Sequence, residues 1–103
     1  MQIQINAADP QSRSVSEEMV RAEVESALGR FAERITRVEV HLKDLNGPKS
    51  GTDKHCMMEA RLGGLAPMAV TADAEDHHAA VVSAAAKLQR MIETDLGKRS
   101  ERR

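Results

Sequence analysis

The stretch "DAEDHHAAVVSAAAKLQRMIETDLGKR", residues 73–99, decides the fold because it carries the apolar repeat of one long helix. Its apolar residues return every three or four positions, which places their side chains on one face of an α-helix. We expect this helix to begin at about Asp73 or Ala74 and to end at about Leu96, with Gly97 as its stop. The stripe predicted to be buried consists of Val81, Ala84, Ala85, Leu88, Ile92 and Leu96.

A second amphipathic helix is predicted near the start of the chain, from about Val15 to about Glu33. Ser14 followed by Glu17 has the spacing of a capping box, and acidic residues suit the positive end of a helix. The apolar residues that recur at helical spacing are Val20, Val24, Ala27, Leu28 and Phe31.

Four further stretches alternate between apolar and polar residues, which is typical of half-buried strands. They are "MQIQINA" (1–7), "ITRVEVHL" (35–42), "KHCMMEARL" (54–62) and "PMAVTA" (67–72), with turns at "NGPKSG" (46–51) and "GG" (63–64). The order β-α-β-β-β-α predicts an α+β fold, in which a four-stranded sheet carries two helices on one face. Polar residues at the alternate positions predict that the other face is open to water.

Charge suggests a register for the hairpin between the second and third strands. Pairing Glu39 with Glu59 also places Arg37 opposite Arg61, and like charges that face each other directly are unfavourable. Shifting the register by two residues places Glu39 opposite Arg61 and His41 opposite Glu59. We therefore predict the shifted register.

Composition bounds the classes of function that the chain can have. Its 103 residues make one small domain, and the balance of 41% hydrophobic and 30% charged residues argues against disorder. Phe31 is the only Phe, Tyr or Trp residue, which disfavours recognition of RNA by stacking bases on rings, and any RNA binding should involve backbone and shape. One cysteine, no secretory leader and no apolar run of transmembrane length predict a cytoplasmic protein without a membrane partner.

The histidines do not make a convincing metal site. His77 and His78 are adjacent, so on a helix they project about 100° apart and cannot easily share an ion. His41 and His55 lie on neighbouring predicted strands, and with Glu59 nearby they make only a weak case for zinc. We therefore predict no metal site and no cofactor.

No arrangement typical of an enzyme is present either. Cys56 follows His55 in a strand, so their side chains point to opposite faces and cannot work as a nucleophile and its base. A buried structural thiol is the simpler interpretation of Cys56. The chain has no phosphate-loop spacing. The sequence thus predicts a protein that is not an enzyme.

The basic residues remain as candidates for function. The net charge is −1, but the segment from Leu96 to Arg103 carries +3. A basic groove would form if Arg30, Lys87, Arg90, Lys98 and Arg99 gather where the two helices run side by side, and such a groove could contact RNA phosphates. The alternative is an ordinary solvated helical surface, because acidic residues are interleaved with these cations, namely Glu23, Glu25, Glu33 and Glu93.

The segment "AEDHHAAVVSAAAKLQRMI" (74–92) resembles the last-helix motif of the ribosome hibernation-promoting factor family, which includes the ribosome-associated inhibitor called protein Y. The motif has an acidic residue, a bulky pair, two small residues and a branched aliphatic, followed by a basic–leucine step and an arginine. These places are held here by Asp76, His77-His78, Ala79-Ala80, Val81, Lys87-Leu88 and Arg90. "RITRVEVHL" (34–42) and "MQIQIN" (1–6) are similar to the second and first strands of the family.

The resemblance implies one hibernation-factor domain, residues 1–98, followed by a short basic tail, residues 99–103, with a fold related to double-stranded RNA-binding domains. It implies a factor that binds small-subunit rRNA where mRNA and tRNA would lie, and that silences translation in stationary phase or stress. The rRNA-binding residues implied in this way are Arg30, Lys87, Arg90, Lys98 and Arg99.

The acidic starts of both predicted helices suggest an alternative function. Glu17 and Glu18 begin the first helix, and Asp73, Glu75 and Asp76 begin the last. Since acidic residues repel phosphate, the alternative is a divergent member that has left the ribosome and serves as a protein-interaction or homodimer module, pairing through an exposed edge strand.

Overall fold

The computed structural model describes residues 1–45 and 53–101 and has the α+β architecture predicted from the sequence. Its elements in chain order are β1 (Gln2–Ala7), α1 (Pro10–Arg13), α2 (Glu17–Leu28) with a 3-10 turn (Gly29–Phe31), β2 (Ile35–Asp44), β3 (Lys54–Leu62), β4 (Met68–Ala74) and α3 (His77–Glu101). The turn predicted at 46–51 lies outside the described residues.

The four strands form one sheet in the order β1-β2-β3-β4. β1 runs parallel to β2, and the other neighbours are antiparallel. α3 packs on β3, β4 and α2, while α2 contacts β1, so both long helices cover the same face of the sheet. The predicted layer arrangement is confirmed, and it leaves β1 and β4 as the two edges.

The core is built from the alternating strand residues and the apolar stripes of the helices. The residues with large side chains that are completely buried include Leu28, Leu42, Met58, Leu88 and Ile92. The predicted stripe of α3 is confirmed for Val81, Ala84, Ala85, Leu88 and Ile92, whereas Leu96 is only partly buried against the core. Ala80 adds to the stripe, and the small residues at 80, 84 and 85 let the helix axis approach the sheet closely.

The predicted register of the β2–β3 hairpin is wrong. Arg37 lies opposite Arg61, and Glu39 lies opposite Glu59. The two like-charged pairs are tolerated because each is next to a pair of the opposite sign: Arg37 bonds to Glu39 at 2.6 Å, and Arg61 lies 3.5 Å from Glu59. A hydrogen bond from His41, and after it the attraction of Arg37 and Arg61, lowers the pKa of Glu39. The attraction between opposite charges along one strand therefore compensates for the repulsion between like charges directly across the hairpin.

The first helical region departs from its predicted boundaries. Ser16, not Ser14, is the N-cap of α2, because the Ser16 hydroxyl accepts a hydrogen bond from the Met19 amide. Ser14 instead donates its hydroxyl to the carbonyl of Gln11 at the end of α1. α1 itself is absent from the prediction, since four residues are too short to show a helical period.

The last helix is also displaced from its predicted range. β4 continues through Asp73 and Ala74, and α3 begins at His77, with the Asp76 carboxylate accepting from the Ala79 amide at 2.8 Å. Gly97 does not stop the helix. Asp95 and Arg99, one turn apart, form an ion pair at 2.8 Å across Gly97, and the expected tail is helical as far as Glu101.

Replacing the cap residue of α3 should destabilise the fold. We expect Asp76→Ala to lower the free energy of unfolding by about 1 kcal/mol, since it removes an N-cap hydrogen bond and a negative charge at the positive end of the helix. Urea denaturation followed by circular dichroism measures the change. Glu75→Ala removes the same charge one residue earlier without removing the cap, so an equal loss in both variants would contradict the capping role.

Candidate nucleic-acid interface

Three charged residues of α3 form a row across its outer surface. Lys87, Arg90 and Glu93 follow one another at intervals of three, so each is rotated by about 60° around the helix axis from the one before. At one end of the row, Lys87 donates to the carbonyl of Thr71 on β4 at 2.8 Å. At the other end, Glu93 pairs with Arg30, which lies in the 3-10 turn after α2. The row thus connects the β4 side of α3 with its α2 side.

Arg30 is held by two weak contacts. Its guanidinium pairs with Glu93 and lies over the ring of Phe31, 4.9 Å from the ring centroid. The side chains of Arg30 and Glu93 are 62% and 36% exposed, so water screens the pair. Ion pairs this exposed contribute at most about 1 kcal/mol. Arg30 can therefore exchange Glu93 for another anion at little cost.

Arg90 and Lys98 are the most available of the predicted cations. Both side chains are exposed, and neither has an ion pair or hydrogen bond with any part of the chain that the structure describes. Lys98 lies eleven residues after Lys87, which places it on nearly the same side of the helix and about 16 Å further along the axis. We call Arg30, Lys87, Arg90 and Lys98 together the helix band.

Arg99 does not belong to the helix band. It is rotated by about 100° from Lys98 and is bound to Asp95 at 2.8 Å. It lies beside an open cavity that is also lined by Met68 and Met91. Of the five sequence-predicted residues, the structure therefore brings four to one side of the helical layer and turns the fifth away.

The acidic helix starts lie at the opposite end of the domain from Lys98. Glu23, in the middle of α2, bonds to His78 at 3.1 Å, and Arg30, beyond the end of α2, pairs with Glu93, so the start of α2 lies toward the start of α3. Asp76 caps that start, and Arg90 lies about 21 Å further along the helix axis. This separation is more than twice the Debye length at physiological ionic strength, about 8 Å, so the acidic end does not cancel the field of the helix band.

Sequence reasoning missed the partners of two predicted residues. It treated Glu93 as a surface charge only, although Glu93 neutralises Arg30. It gave Lys87 no partner, although Lys87 covers a carbonyl of the edge strand. Both contacts join residues from different elements, so the residue spacing within one helix could predict neither. That spacing could predict only that Lys87, Arg90 and Glu93 lie in one row.

Three of the histidines lie next to separate carboxylates. His41 bonds to Glu39 at 3.2 Å, His55 to Asp73 at 2.6 Å, and His78 to Glu23 at 3.1 Å. His41 and His55 are also not cross-strand partners, because His55 lies opposite Lys43. In residues 1–45 and 53–101, no group of three or more metal-binding side chains is close enough to hold an ion.

His77 and Cys56 are the buried groups that can titrate near neutral pH or react. His77 lies under α1, with its Nε2 atom 3.4 Å from the Ser12 hydroxyl, and burial lowers its pKa. Cys56 is completely buried, and burial raises its pKa to about 12, so the thiol stays protonated and unreactive at neutral pH. The interpretation of Cys56 as a structural thiol is confirmed.

The described helices include none that is long and apolar enough to cross a membrane. The outer surface of α3, which is the longest of them, carries the charged row instead.

Comparison with known proteins identifies relatives of this chain. The family model described as "Sigma 54 modulation protein / S30EA ribosomal protein" matches residues 11–100. A ribosomal subunit interface protein from Coxiella burnetii has a similar structure, with a TM-score of 0.67, 17% identity, and coverage of 94% of this chain and 99% of that one. The N-terminal domain of protein Y from Thermus thermophilus is also similar, with a TM-score of 0.66, 18% identity, and coverage of 91% and 98%. No curated protein matches the sequence.

The burial of His77 predicts a loss of stability in mild acid. Because folding lowers the pKa of His77, the folded state favours the neutral ring. The contribution of His77 to the free energy of unfolding is therefore fully present above about pH 6.5, and it decreases as the pH falls below that value. Urea denaturation between pH 7.5 and pH 5 should show this decrease, and His77→Gln should reduce it. Asp9, whose pKa is lowered by hydrogen bonds from the Asp44 and Ser12 amides, contributes only near pH 4 and below. Parallel pH profiles for the two proteins would contradict the assignment.

Proposed function

The chain belongs to the sigma 54 modulation protein / S30EA ribosomal protein family, and we propose from this membership that it is a ribosome-associated factor that binds small-subunit rRNA through the helix band. In this proposal it occupies the channel that mRNA and tRNA use, and it silences translation in stationary phase or stress. Its role is binding and not catalysis, and it needs no cofactor.

The observation that carries the proposal is the exposure of the cations of the helix band on the outer surface of α3. Arg90 and Lys98 are exposed and without a polar partner among the described residues, and they lie on the same side of α3 as Lys87. A phosphate backbone is the ligand that such a surface suits, because each phosphate contact releases condensed counterions and adds to affinity. With Phe31 as the only aromatic residue, contacts to backbone and shape are the mode available.

The two partnered residues of the helix band can join the same contact. Arg30 gives up only an exposed ion pair with Glu93 when it turns to a phosphate. Lys87 exchanges a bond to the neutral Thr71 carbonyl for one to a charged oxygen, and hydrogen bonds between ionised groups are the stronger kind. Binding therefore needs no refolding of the domain.

Inhibition of translation would then follow from steric exclusion alone. A folded domain bound to rRNA in the mRNA and tRNA channel excludes both ligands without any chemical step. Because its affinity rests on a few phosphate contacts, binding should be reversible and should weaken as salt rises. This behaviour suits a factor that must leave when growth resumes.

The alternative, a homodimer that pairs through an edge strand, is less well supported. On β1, the Arg21 guanidinium donates to the Ile3 carbonyl at 3.0 Å. On β4, the Lys87 ammonium donates to the Thr71 carbonyl at 2.8 Å. Each edge strand thus carries a basic side chain on a backbone acceptor that a second copy would need, and charged residues at edges discourage pairing of this kind. Size-exclusion chromatography at low and moderate salt distinguishes the two candidates.

Charge reversal at the helix band should weaken ribosome binding. We expect Arg90→Glu combined with Lys98→Glu to weaken binding to purified small subunits by at least about tenfold. The slope of log affinity against log salt should become shallower by about 2, one for each lost phosphate contact. Co-sedimentation at several salt concentrations measures both. The matched control, Lys43→Glu combined with Arg61→Glu, makes the same change of charge on the open face of the sheet and should bind normally. A folded Arg90/Lys98 variant that sediments like the unmodified protein would count against the proposal.

A further inference from the structure

The outer edge of β1 carries backbone groups that the sheet does not use. The Ala8 amide donates to the Leu42 carbonyl of β2 at 3.0 Å, so the even-numbered residues of β1 direct their backbone groups toward β2. In a parallel pair, the residues between them direct both their N–H and C=O away from the partner strand. Ile3, Ile5 and Ala7 therefore face outward, and the Ile3 carbonyl is indeed the one that Arg21 reaches from outside.

A continuous groove runs along this edge. An open cavity of about 330 Å³ lies over Ile5 and Ala7 and is bordered by Arg13, and a second of about 570 Å³ extends from Ile5 toward Gln2 and is bordered by Arg21. Ile5 lines both cavities, so they adjoin along the strand. The groove has the position and backbone groups that receive an added β-strand.

The charged residues at the rim of the groove indicate which kind of added strand it would bind. Arg13 and Arg21 stand on the helical side, and Glu17 is the carboxylate that borders both cavities. Arg37, on the sheet side, is already paired with Glu39. The Arg13 side chain is exposed and has no polar partner in the described part of the chain. The rim therefore favours a ligand with carboxylates, and it disfavours a second copy of β1, which would bring another Arg13 and Arg21 against these two.

We propose that the outer edge of β1 binds an extended acidic segment of a partner protein, which joins the sheet as a fifth strand. The peptide backbone bonds to the outward groups of Ile5 and Ala7, and its carboxylates pair with Arg13 and Arg21. Arg21 leaves the Ile3 carbonyl when the peptide arrives, so one exposed hydrogen bond protects the edge in the free protein. The site is separate from the helix band, because α3 packs over β3 and β4 while β1 forms the other edge of the sheet.

Fluorescence anisotropy with the full chain and a labelled hexapeptide of alternating glutamate and valine tests the proposal. We expect saturable binding at low salt that Arg13→Glu combined with Arg21→Glu weakens at least about tenfold, in line with the loss of two charge-assisted contacts. The Lys43→Glu and Arg61→Glu control should bind the peptide normally. The Arg90→Glu and Lys98→Glu variant should also bind the peptide normally. Peptide binding and ribosome binding are therefore tested independently.

A second peptide separates strand addition from simple charge attraction. The same hexapeptide with every other amide methylated keeps its carboxylates but cannot complete the backbone ladder, so it should not bind. This comparison uses the unmodified protein and does not depend on how any variant folds. Equal binding of the methylated peptide, no saturable binding of the first peptide, or binding of oligouridylate in its place would each overturn the proposal.

Discussion

The packing of α3 against β3, β4 and α2 is the contact on which the rest of the structure depends. Its stripe includes Val81, Leu88 and Ile92, and burying side chains of this size contributes about 1.5–3 kcal/mol each. The stripe also fixes how the helix is rotated on the sheet. Once its apolar side faces the core, the row of Lys87, Arg90 and Glu93 must face outward. The surface available to a ligand is thus a consequence of core packing.

Segregation of charge explains how a chain with a net charge of −1 can present a basic surface. The acidic residues at the helix starts stabilise those ends through caps and dipoles, as Asp76 does for α3. Lys98 lies near the other end of the same helix, at its negative pole. The macrodipole therefore favours the same distribution that keeps the acidic residues of the helix starts away from Lys98 and Arg90. Net charge and isoelectric point average over this distribution and underestimate its effect.

Periodicity was sufficient to predict the element order, the layers and the buried stripe of α3, because burial imposes a period of 2 or 3.6 on one strand or one helix. It was not sufficient for features that depend on two segments together. The β2–β3 register places like charges opposite each other, which is tolerated because Arg37 and Glu39 pair along one strand. The helix α3 continues past Gly97 to Glu101, and the Asp95–Arg99 pair spans the glycine within it. The predicted site was limited in the same way, since Arg30 meets Glu93 only after folding.

Basic residues have two distinct uses in this domain, and composition cannot distinguish them. Arg21 and Lys87 donate to carbonyls of the two edge strands, where their first effect is to cover backbone that would otherwise pair with other chains. The side chains of Arg90 and Lys98 bond to no backbone carbonyl within the described residues, and their charges are exposed to solvent. A ligand for Arg90 and Lys98 meets no internal competitor, whereas a ligand for Arg21 or Lys87 must first replace a hydrogen bond. Recognition should therefore begin at the cations that have no internal partner. Which cations have a partner is set by the topology, because it places some helix residues next to a strand edge and leaves others in solvent.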